Sequence, residues 1–336
     1  LLVNKDEKPS KHARVVINFK NYKKSLHFCD QRTFGWMNLE DLVQAKDKRL
    51  VPESAFHIAP DLLEKSFNIS QVKVRNKRAL RNFSKSIKTF ENTLIGMTIK
   101  SVERRGKFFW LEIKGKNLAL SAHLGMSGQM LLVNKDEKPS KHARVVINFK
   151  NYKKSLHFCD QRTFGWMNLE DLVQAKDKRL VPESAFHIAP DLLEKSFNIG
   201  QVVANIKKRK TGIKQALLNQ EIVSGIGNIY VDEALWEAKT HWANICEDLS
   251  EEKITEILEA AKKVMKKALK KGGTSFDDLY IDVNGESGYF ENDLKAYGRV
   301  GERCYRCEFK MEKQAFSNNR SSTICPNCQP RLKAHR

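Results

Sequence analysis

Four cysteines near the carboxyl end have the spacing of a metal-binding site. They form two C-x2-C pairs, Cys304 with Cys307 and Cys325 with Cys328, separated by seventeen residues. Each pair can direct two thiolates at one ion, and two pairs complete the tetrahedral four-sulfur site that Zn²⁺ favours. Four thiolates leave no open position for water, so the sequence predicts one structural zinc ion. The alternative, two disulfides, is typical of secreted proteins.

The stretch between the cysteine pairs is polar and has Ser317–Asn319 at its middle. Asparagine tolerates the positive φ angles of a tight turn, so the stretch predicts a β-hairpin with Arg320 just beyond its tip. A segment this short cannot build a hydrophobic core, and the bound metal would supply its folding free energy.

A second candidate site is the glycine-rich loop VSGIGN, which separates two stretches of helical periodicity. Gly225 and Gly227 permit a sharp turn, and Asn228 would cap the helix that follows. Free N–H groups at a helix start favour a phosphate, and the basic residues Lys207–Lys210 and Lys214 lie just upstream. The same spacing suits an ordinary two-helix core with a solvated basic face, so both interpretations stay open.

The elements that must position these groups are helices around the glycine loop and strands before it. Short apolar runs joined by turns predict an antiparallel β-sandwich over residues 99–168. Its turns carry Lys107, Met126 between two glycines, and Arg162 with Phe164 in DQRTFGW. A cation or an apolar side chain at such a tip could enter a DNA stack and fill a gap. Alternatively, Lys107 is an ordinary solvated lysine and Met126 packs under its own loop.

The charge of the chain points to a polyanionic partner. The formal net charge is +20 and the isoelectric point is about 9.6, which is typical of proteins that bind nucleic acid. The alternative is a well-solvated basic surface. No apolar run reaches the ~18 residues of a membrane span, and no secretory signal pattern opens the chain. We therefore expect a soluble, cytoplasmic protein without a membrane partner.

The first part of the chain repeats its own middle. Leu1–Ile69 is identical to Leu131–Ile199, at a constant offset of 130. Solenoid repeats are short, numerous and diverged, whereas this is one long unit present twice without change. We treat residues 1–72, the copy of 131–202, as extraneous and expect the working protein to begin at Lys73. The second copy should supply the sandwich strands, because its short connections lose less closure entropy.

Several motifs occur in the order typical of one family: RRGKFFWLEI, HLGMSG, DQRTFG, TGIKQALL, SGIGNIYVDEALW and the four-cysteine tail. Residues 73–330 thereby resemble bacterial formamidopyrimidine-DNA glycosylases, more closely than the related endonuclease VIII enzymes. The resemblance implies an α+β fold with three parts. These are an antiparallel β-sandwich domain over 73–186, a helix–two-turn–helix domain over 187–297 and a C-terminal zinc-clamped β-hairpin over 298–336.

The resemblance also implies residue roles. Lys107 matches the lysine that takes part in base removal and elimination, and Arg320 matches the zinc-finger arginine of the catalytic site. The DNA-contacting positions of the family correspond to Met126, His142, Arg162, Phe164, Arg209, Lys210, Lys214 and Asn228. Met126, Arg162 and Phe164 match the trio that fills the space of a flipped nucleotide. Lys214 and Asn228 match residues that hold phosphates, and Ser275–Phe290 resembles a loop that closes over the damaged base.

Such a protein would be a base-excision-repair enzyme, a DNA glycosylase and abasic-site lyase for oxidised purines such as 8-oxoguanine and formamidopyrimidine. Its partner would be double-stranded DNA that contains oxidised purines or abasic sites. It would act as a monomer in the bacterial cytoplasm, at the nucleoid.

The segment before VKVRNKRALRNF departs from the family pattern. Family members begin with a Pro-Glu pair whose secondary amine attacks C1′ of the damaged nucleotide, and here the copied block stands in that place. Pro52 and Pro182 are internal, so their nitrogens are amides and cannot act as nucleophiles. We therefore expect impaired base release, with a catalytically inactive damaged-DNA-binding protein as the alternative. A sequence-specific regulator would need a recognition helix with base-reading side chains, and no stretch stands out as one.

Overall fold

The computed structural model describes residues 67–194, 196–270, 293–317 and 320–332, together with the backbone of short strands between residues 2 and 52. The chain divides into two compact units, Leu1–Ser54 and Ala55–Arg336. The loop expected over Ser275–Phe290 lies outside the described residues, as do Asn318 and Asn319 at the expected hairpin tip.

The first unit contains five short strands. Strands β1 (Leu2–Asn4), β2 (Ala13–Asn18) and β3 (Lys24–Cys29) form an antiparallel sheet in the order β1–β3–β2. Strands β4 (Leu42–Gln44) and β5 (Leu50–Pro52) form a separate antiparallel pair. The block therefore forms its own local hairpins.

The second unit begins with the predicted β-sandwich. Its elements are β6 (Ile69–Val74), α1 (Ile87–Leu94), β7 (Ile99–Arg105), β8 (Phe108–Ile113), β9 (Leu118–His123), β10 (Gly128–Asn134), β11 (Ala143–Phe149), β12 (Lys154–Asp160), β13 (Trp166–Gln174) and β14 (Leu180–Pro182). One sheet has the order β10–β12–β11–β6, and the other has the order β14–β13–β9–β8–β7. All neighbouring strands are antiparallel, which confirms the sandwich.

The apolar faces of the two sheets form the sandwich core. On β11, Val145 and Ile147 alternate with less buried neighbours, as expected for a strand with one buried face. Strand β8 is nearly continuously apolar because both of its faces are covered. Phe109 and Leu111 face the main core, whereas Trp110 packs in a second cluster with Ile188. Full burial of each such side chain contributes about 1.5–3 kcal/mol.

The second copy of the repeated block supplies β11 and β12, as predicted, with β11 paired to β6. The register of β2 on β3 repeats that of β11 on β12, including the irregularity after Ala13 and Ala143. The predicted boundary at Lys73 is wrong, however, because it falls inside β6. Phe67 and Ile69 belong to the copied block and are buried in the sandwich core, so the packed domain includes the end of that block.

The helical part has a separate core. It comprises α2 (Ile199–Lys207), α3 (Ile213–Leu218), α4 (Asn228–Glu237) and α5 (Glu251–Lys270). The side chain of Asn198 accepts the Gln201 N–H and caps α2, and Ser250 accepts the Lys253 N–H at the start of α5. Apolar residues of all four helices meet in one cluster.

A hairpin completes the second unit. Strands β15 (Glu312–Ser317) and β16 (Arg320–Ile324) pair antiparallel, with Ser317 opposite Arg320, which confirms the predicted hairpin. Trp236 of α4 packs in one cluster with Cys304, Met311 and Cys325, so the hairpin module rests on the helical part. Across the residues described above, every helix is too short or too polar to cross a lipid bilayer.

Candidate nucleic-acid interface

The turn that carries Lys107 packs directly on the glycine-rich loop. Gly106 has φ +57°, and a Cβ atom there would lie 2.8 Å from Cβ of Ser224. A Cβ atom at Gly227 would lie 3.6 Å from Nζ of Lys107. The backbone of the loop thus approaches the lysine closely, and only glycine at position 106 allows the approach. The structure brings together two sites that the sequence placed in separate domains.

Arginines immediately before this turn fix its position. Arg104 on β7 lies with Nη1 2.5 Å from the buried Asp191 carboxylate, which belongs to the segment leading into the helical part. The fully buried Arg105 contacts the carboxylates of Asp177 and Glu194. The pairs with Asp191 and Glu194 tie the end of β7 to the segment leading into the helical part, and the pair with Asp177 ties it to the turn between β13 and β14.

The surroundings of Lys107 lower the pKa of its amine. Its side chain reaches solvent, yet the neighbouring protein removes part of its hydration, and this desolvation lowers the pKa of Lys107 below the ordinary lysine value. The positive charge of Arg320 lowers the pKa further. A lysine in this setting can give up its proton more readily than a solvated one, so it is suited to act as a base or a nucleophile.

His123 is a member of this site that the sequence analysis missed. Burial lowers its pKa first, and the nearby charges of Lys107 and Arg81 lower it further. Its Nδ1 accepts the Gly125 N–H at 3.0 Å, so the neutral ring carries its proton on Nε2. The ring stacks on Trp166. The available signal was its position at the start of HLGMSG, directly before the Met126 loop.

The predicted wedge residues lie side by side on two touching loops. Met126 is 59% exposed and Phe164 is 44% exposed, whereas most large apolar side chains of the sandwich are buried. A Cβ atom at Gly125 would lie 2.8 Å from the backbone nitrogen of Gly165, so the two loops are in backbone contact. Arg162 is exposed on the same loop as Phe164. The structure therefore groups an apolar pair and a cation at one edge of the sandwich.

The remaining basic residues lie in other parts of the second unit. His142 is half-buried just before β11, and its carbonyl accepts the backbone N–H of Asp160 at 2.9 Å. Arg209 and Lys210 are exposed beyond the end of α2. Arg209 and Arg320 line a cavity of about 260 Å³ between the helical part and the hairpin, together with Phe316. Two guanidinium groups on one open cavity can hold an anion such as a phosphate.

Lys214 has a different environment from the expected one. The resemblance implied a phosphate contact, but the side chain is fully buried and its ammonium is already bound. It lies 2.7 Å from the Asp232 carboxylate, 2.8 Å from Oγ of Ser322 and 2.9 Å from the Ser321 carbonyl oxygen. Burial raises the pKa of Asp232 to about 6 and lowers the pKa of Lys214, because desolvation outweighs the attraction between the two charges. Lys214 therefore joins α3 to the hairpin instead of facing solvent.

Asn228 also differs from the expectation. Gly227 is the N-cap of α4, and Asn228 is the first helical residue. Its Nδ2 donates to the Ser321 carbonyl at 3.2 Å, the same oxygen that Lys214 binds. Its Oδ1 is buried and has no hydrogen-bond partner. Both side chains thus bind the backbone carbonyl of Ser321, which directly follows Arg320, and so help to fix the position of Arg320.

The acidic pair after Asn228 in GNIYVDE was also missed. Asp232 binds Lys214 and accepts the Thr323 N–H at 3.1 Å. The carboxylate of Glu233 accepts three backbone N–H groups, from residues 295, 296 and 297, at 2.8–2.9 Å. Acids on a helix ordinarily suggest a solvated face, and nothing in their spacing indicated that Asp232 would bind the hairpin or that Glu233 would bind the segment just before it.

The four cysteines converge on one point, as predicted. Their Sγ atoms all lie within 4.8 Å of one another. The separations include 3.3 Å between Cys307 and Cys328 and 3.9 Å between Cys304 and Cys328. A tetrahedral ion with metal–sulfur bonds of about 2.3 Å requires sulfur–sulfur separations of about 3.8 Å. The cluster therefore has the donor set and the size for a four-coordinate metal.

Comparison with known proteins gives matches over most of the chain. Residues 57–167 match the formamidopyrimidine-DNA glycosylase N-terminal domain, and residues 188–278 match the formamidopyrimidine-DNA glycosylase H2TH domain. Formamidopyrimidine-DNA glycosylase of Mycobacterium avium is 47% identical over 263 residues, covering 78% of this chain and 91% of that protein. The corresponding protein of Rhodococcus erythropolis is 45% identical over 268 residues, covering 80% and 92%.

Solved structures of similar proteins contain DNA. Lactococcus lactis Fpg in complex with abasic-site DNA matches with a TM-score of 0.68 at 27% identity, over 83% of this chain and 99% of that chain. The Lactococcus lactis protein with DNA that contains Fapy-dG matches with the same TM-score, identity and coverage.

Proposed function

The chain belongs to the formamidopyrimidine-DNA glycosylase family, and from this premise we propose that it acts on double-stranded DNA containing oxidised purines or abasic sites. The proposed activities are base excision and strand cleavage at the abasic site. The observation that carries the proposal is the meeting of the Lys107 turn, the glycine loop and Arg320. Three separate parts of the sequence meet at this site. An ordinary solvated lysine would not be enclosed by distant segments in this way.

Binding would combine phosphate contacts with insertion. Arg209, Lys210 and Arg320 supply cations on an open surface, in keeping with a net charge of +20. Met126 and Phe164 are the exposed apolar groups that could fill the space of an extruded nucleotide, with Arg162 beside them. We propose that this work is done by a monomer at the bacterial nucleoid.

The proposed chemistry of this chain centres on Lys107. Its lowered pKa increases the fraction of neutral amine at a given pH relative to a solvated lysine, and a neutral amine can accept a proton or attack C1′ of an abasic sugar. Arg320 contributes to the lowered pKa of that amine and can hold a phosphate of the reacting strand. The four cysteines would hold one structural zinc ion, which supplies folding free energy to the module that presents Arg320.

The direct test measures base release and strand cleavage on duplexes with 8-oxoguanine, formamidopyrimidine or an abasic site. Lys107→Ala should reduce cleavage at abasic sites far more than it reduces DNA binding. The matched control is Lys116→Ala, an exposed lysine in the turn at the other end of β8. Equal cleavage by Lys107→Ala and the control would contradict the assigned role.

A second candidate, damaged-DNA binding without base release, is favoured by the copied block. Residues 1–68, which precede β6, repeat residues 131–198 and stand where the family carries its catalytic amine. On this proposal the chain binds lesion DNA, releases almost no 8-oxoguanine, and gains activity when residues 1–66 are replaced by a family-type segment that starts with Pro-Glu. Full base release by the unaltered sequence would contradict it.

A further inference from the structure

We propose that Asp160 is a positioning residue for lesion recognition, because its carboxylate fixes the two loops that carry the wedge side chains in one arrangement. The inference rests on the proposed function, since it concerns how Met126, Arg162 and Phe164 meet DNA. Asp160 itself would not touch the nucleotide.

The carboxylate of Asp160 binds both loops at once. Oδ1 accepts the hydroxyl of Ser127 at 2.6 Å and the backbone N–H of Arg162 at 3.1 Å. Oδ2 accepts the backbone N–H of Gly165 at 2.7 Å. Ser127 directly follows Met126, and Arg162 and Gly165 enclose Phe164. One side chain thus binds the Ser127 hydroxyl beside Met126, the backbone of Arg162 and the backbone beside Phe164.

Burial makes this arrangement strong. Asp160 is 1% exposed, so water does not compete for its oxygens. A buried carboxylate must be satisfied by donors, and hydrogen bonds to an ionised acceptor are stronger than neutral ones. Its backbone is held as well, because the carbonyl accepts Nε of Arg144 at 2.6 Å. Asp160, the last residue of β12, is therefore itself held in place.

The opposite side of the Phe164 loop has its own anchor. Arg81 donates to the carbonyls of Phe164 and Gly165 at 2.5 and 2.8 Å, so the loop is held through its carbonyls as well as its N–H groups. Thr163 takes the positive φ of 54°, which is uncommon for a branched residue and persists only where the surroundings enforce it. The exposed Phe164 is thus presented on a constrained backbone.

Such constraint has a consequence for recognition. An exposed wedge that is already ordered loses little conformational entropy when it enters the DNA stack. Without Asp160, the loops would have to be ordered during binding, and only the complex in which the wedge is inserted would be weakened. The expected effect is therefore a loss of preference for lesion duplex, with little change in affinity for undamaged duplex.

The test uses the full chain with Asp160→Asn, which keeps the shape but replaces one acceptor oxygen by an NH₂ group facing a donor. The matched control is Asp171→Asn, an exposed acid of β13. The measurement is the ratio of dissociation constants for undamaged duplex and duplex with a stable abasic-site analogue. Asp160→Asn should lower this ratio by about tenfold, and the control should leave it unchanged.

A double-variant comparison separates positioning from general damage to the fold. In a Phe164→Ala background, Asp160→Asn should change the ratio much less than it does in the unaltered chain. If Asp160→Asn does not fold, Ser127→Ala provides the test instead. It removes one donor to Asp160 without burying a new polar group, and it should also lower the ratio. Equal weakening on both duplexes, or an unchanged ratio in a folded Asp160→Asn protein, would overturn the inference alone. An unaltered chain without any preference for lesion duplex would overturn the proposed function as well.

Discussion

Replacing Asp232 with leucine should strongly destabilise the protein, because it would leave a buried lysine without its counter-charge. Lys214 is fully buried, and Asp232 is only 2% exposed at a distance of 2.7 Å. Solvent screens neither charge at this burial, and removing one partner of a buried pair costs about 3–5 kcal/mol. Asp232 also accepts the Thr323 N–H, and an unsatisfied buried donor costs about 1–3 kcal/mol more.

The effect is measurable by thermal unfolding. One kcal/mol corresponds to about 2–4 °C in melting temperature for a unit of this size, so the ion-pair loss alone should lower the melting temperature by roughly 6–20 °C. The measurement is the loss of helical circular dichroism signal on heating, to which the helices containing Lys214 and Asp232 contribute. The exposed Asp248 offers the control, because Asp248→Leu should change the free energy of unfolding by no more than about 0.5 kcal/mol.

A double variant distinguishes the effect of an unpaired buried charge from the effect of lost packing. Combining Lys214→Met with Asp232→Leu removes both charges, and such replacements are often neutral. The double variant should therefore be more stable than Asp232→Leu alone, despite the lost contact to Ser322. A melting temperature of Asp232→Leu within about 2 °C of the unaltered protein, or a double variant less stable than the single one, would refute the buried-pair argument.

Three further predictions concern metal, salt and pH. Chelation should unfold the four-cysteine module and weaken DNA binding; folded, DNA-competent protein without zinc by metal analysis would contradict this. Affinity should fall steeply with salt, and Arg209→Ala should reduce the log–log slope by about one unit, whereas a flat titration would exclude phosphate contacts. Arg320→Gln should raise the pKa of Lys107 by removing a nearby positive charge, leaving less neutral amine at a given pH. The rise of borohydride trapping on abasic DNA should then shift to higher pH, and an unchanged profile would contradict this coupling.

The sequence by itself determined the features that depend on local spacing. The C-x2-C pairs fixed which four thiolates share a site, because two cysteines three positions apart can converge on one ion. Alternating and continuous apolar runs identified the sandwich strands, since burial of one or both faces imposes those patterns. The turns that carry Met126 and Phe164 could also be located from the glycines near them, but the exposure of the two side chains is seen only in the structure.

Only the tertiary structure decided contacts between distant segments. Lys214 and Asn228 look like solvent-facing groups beside a glycine loop, but both bind the backbone that follows Arg320, more than ninety positions further along the chain. Asp160 looks like a turn residue of DQRTFG, and its bond to Ser127 depends on the packing of two loops. Sequence spacing carries no information on such partners, because the interaction exists only once the chain is folded.

The repeated block shows most directly that a short local sequence does not determine its own secondary structure. FNISQV at 67–72 leads into strand β6, whereas FNIGQV at 197–202 leads into helix α2. The helical copy carries the glycine, the poorer helix former, so intrinsic propensity would favour the reverse outcome. In the first copy, Ile69 and Val72 pair with β11 and are buried in the sandwich. In the second, Asn198 caps the helix, and Val203 and Ile206 follow at helical spacing into the helical core. The nearly identical hexapeptides therefore take their structure from the surface that buries them.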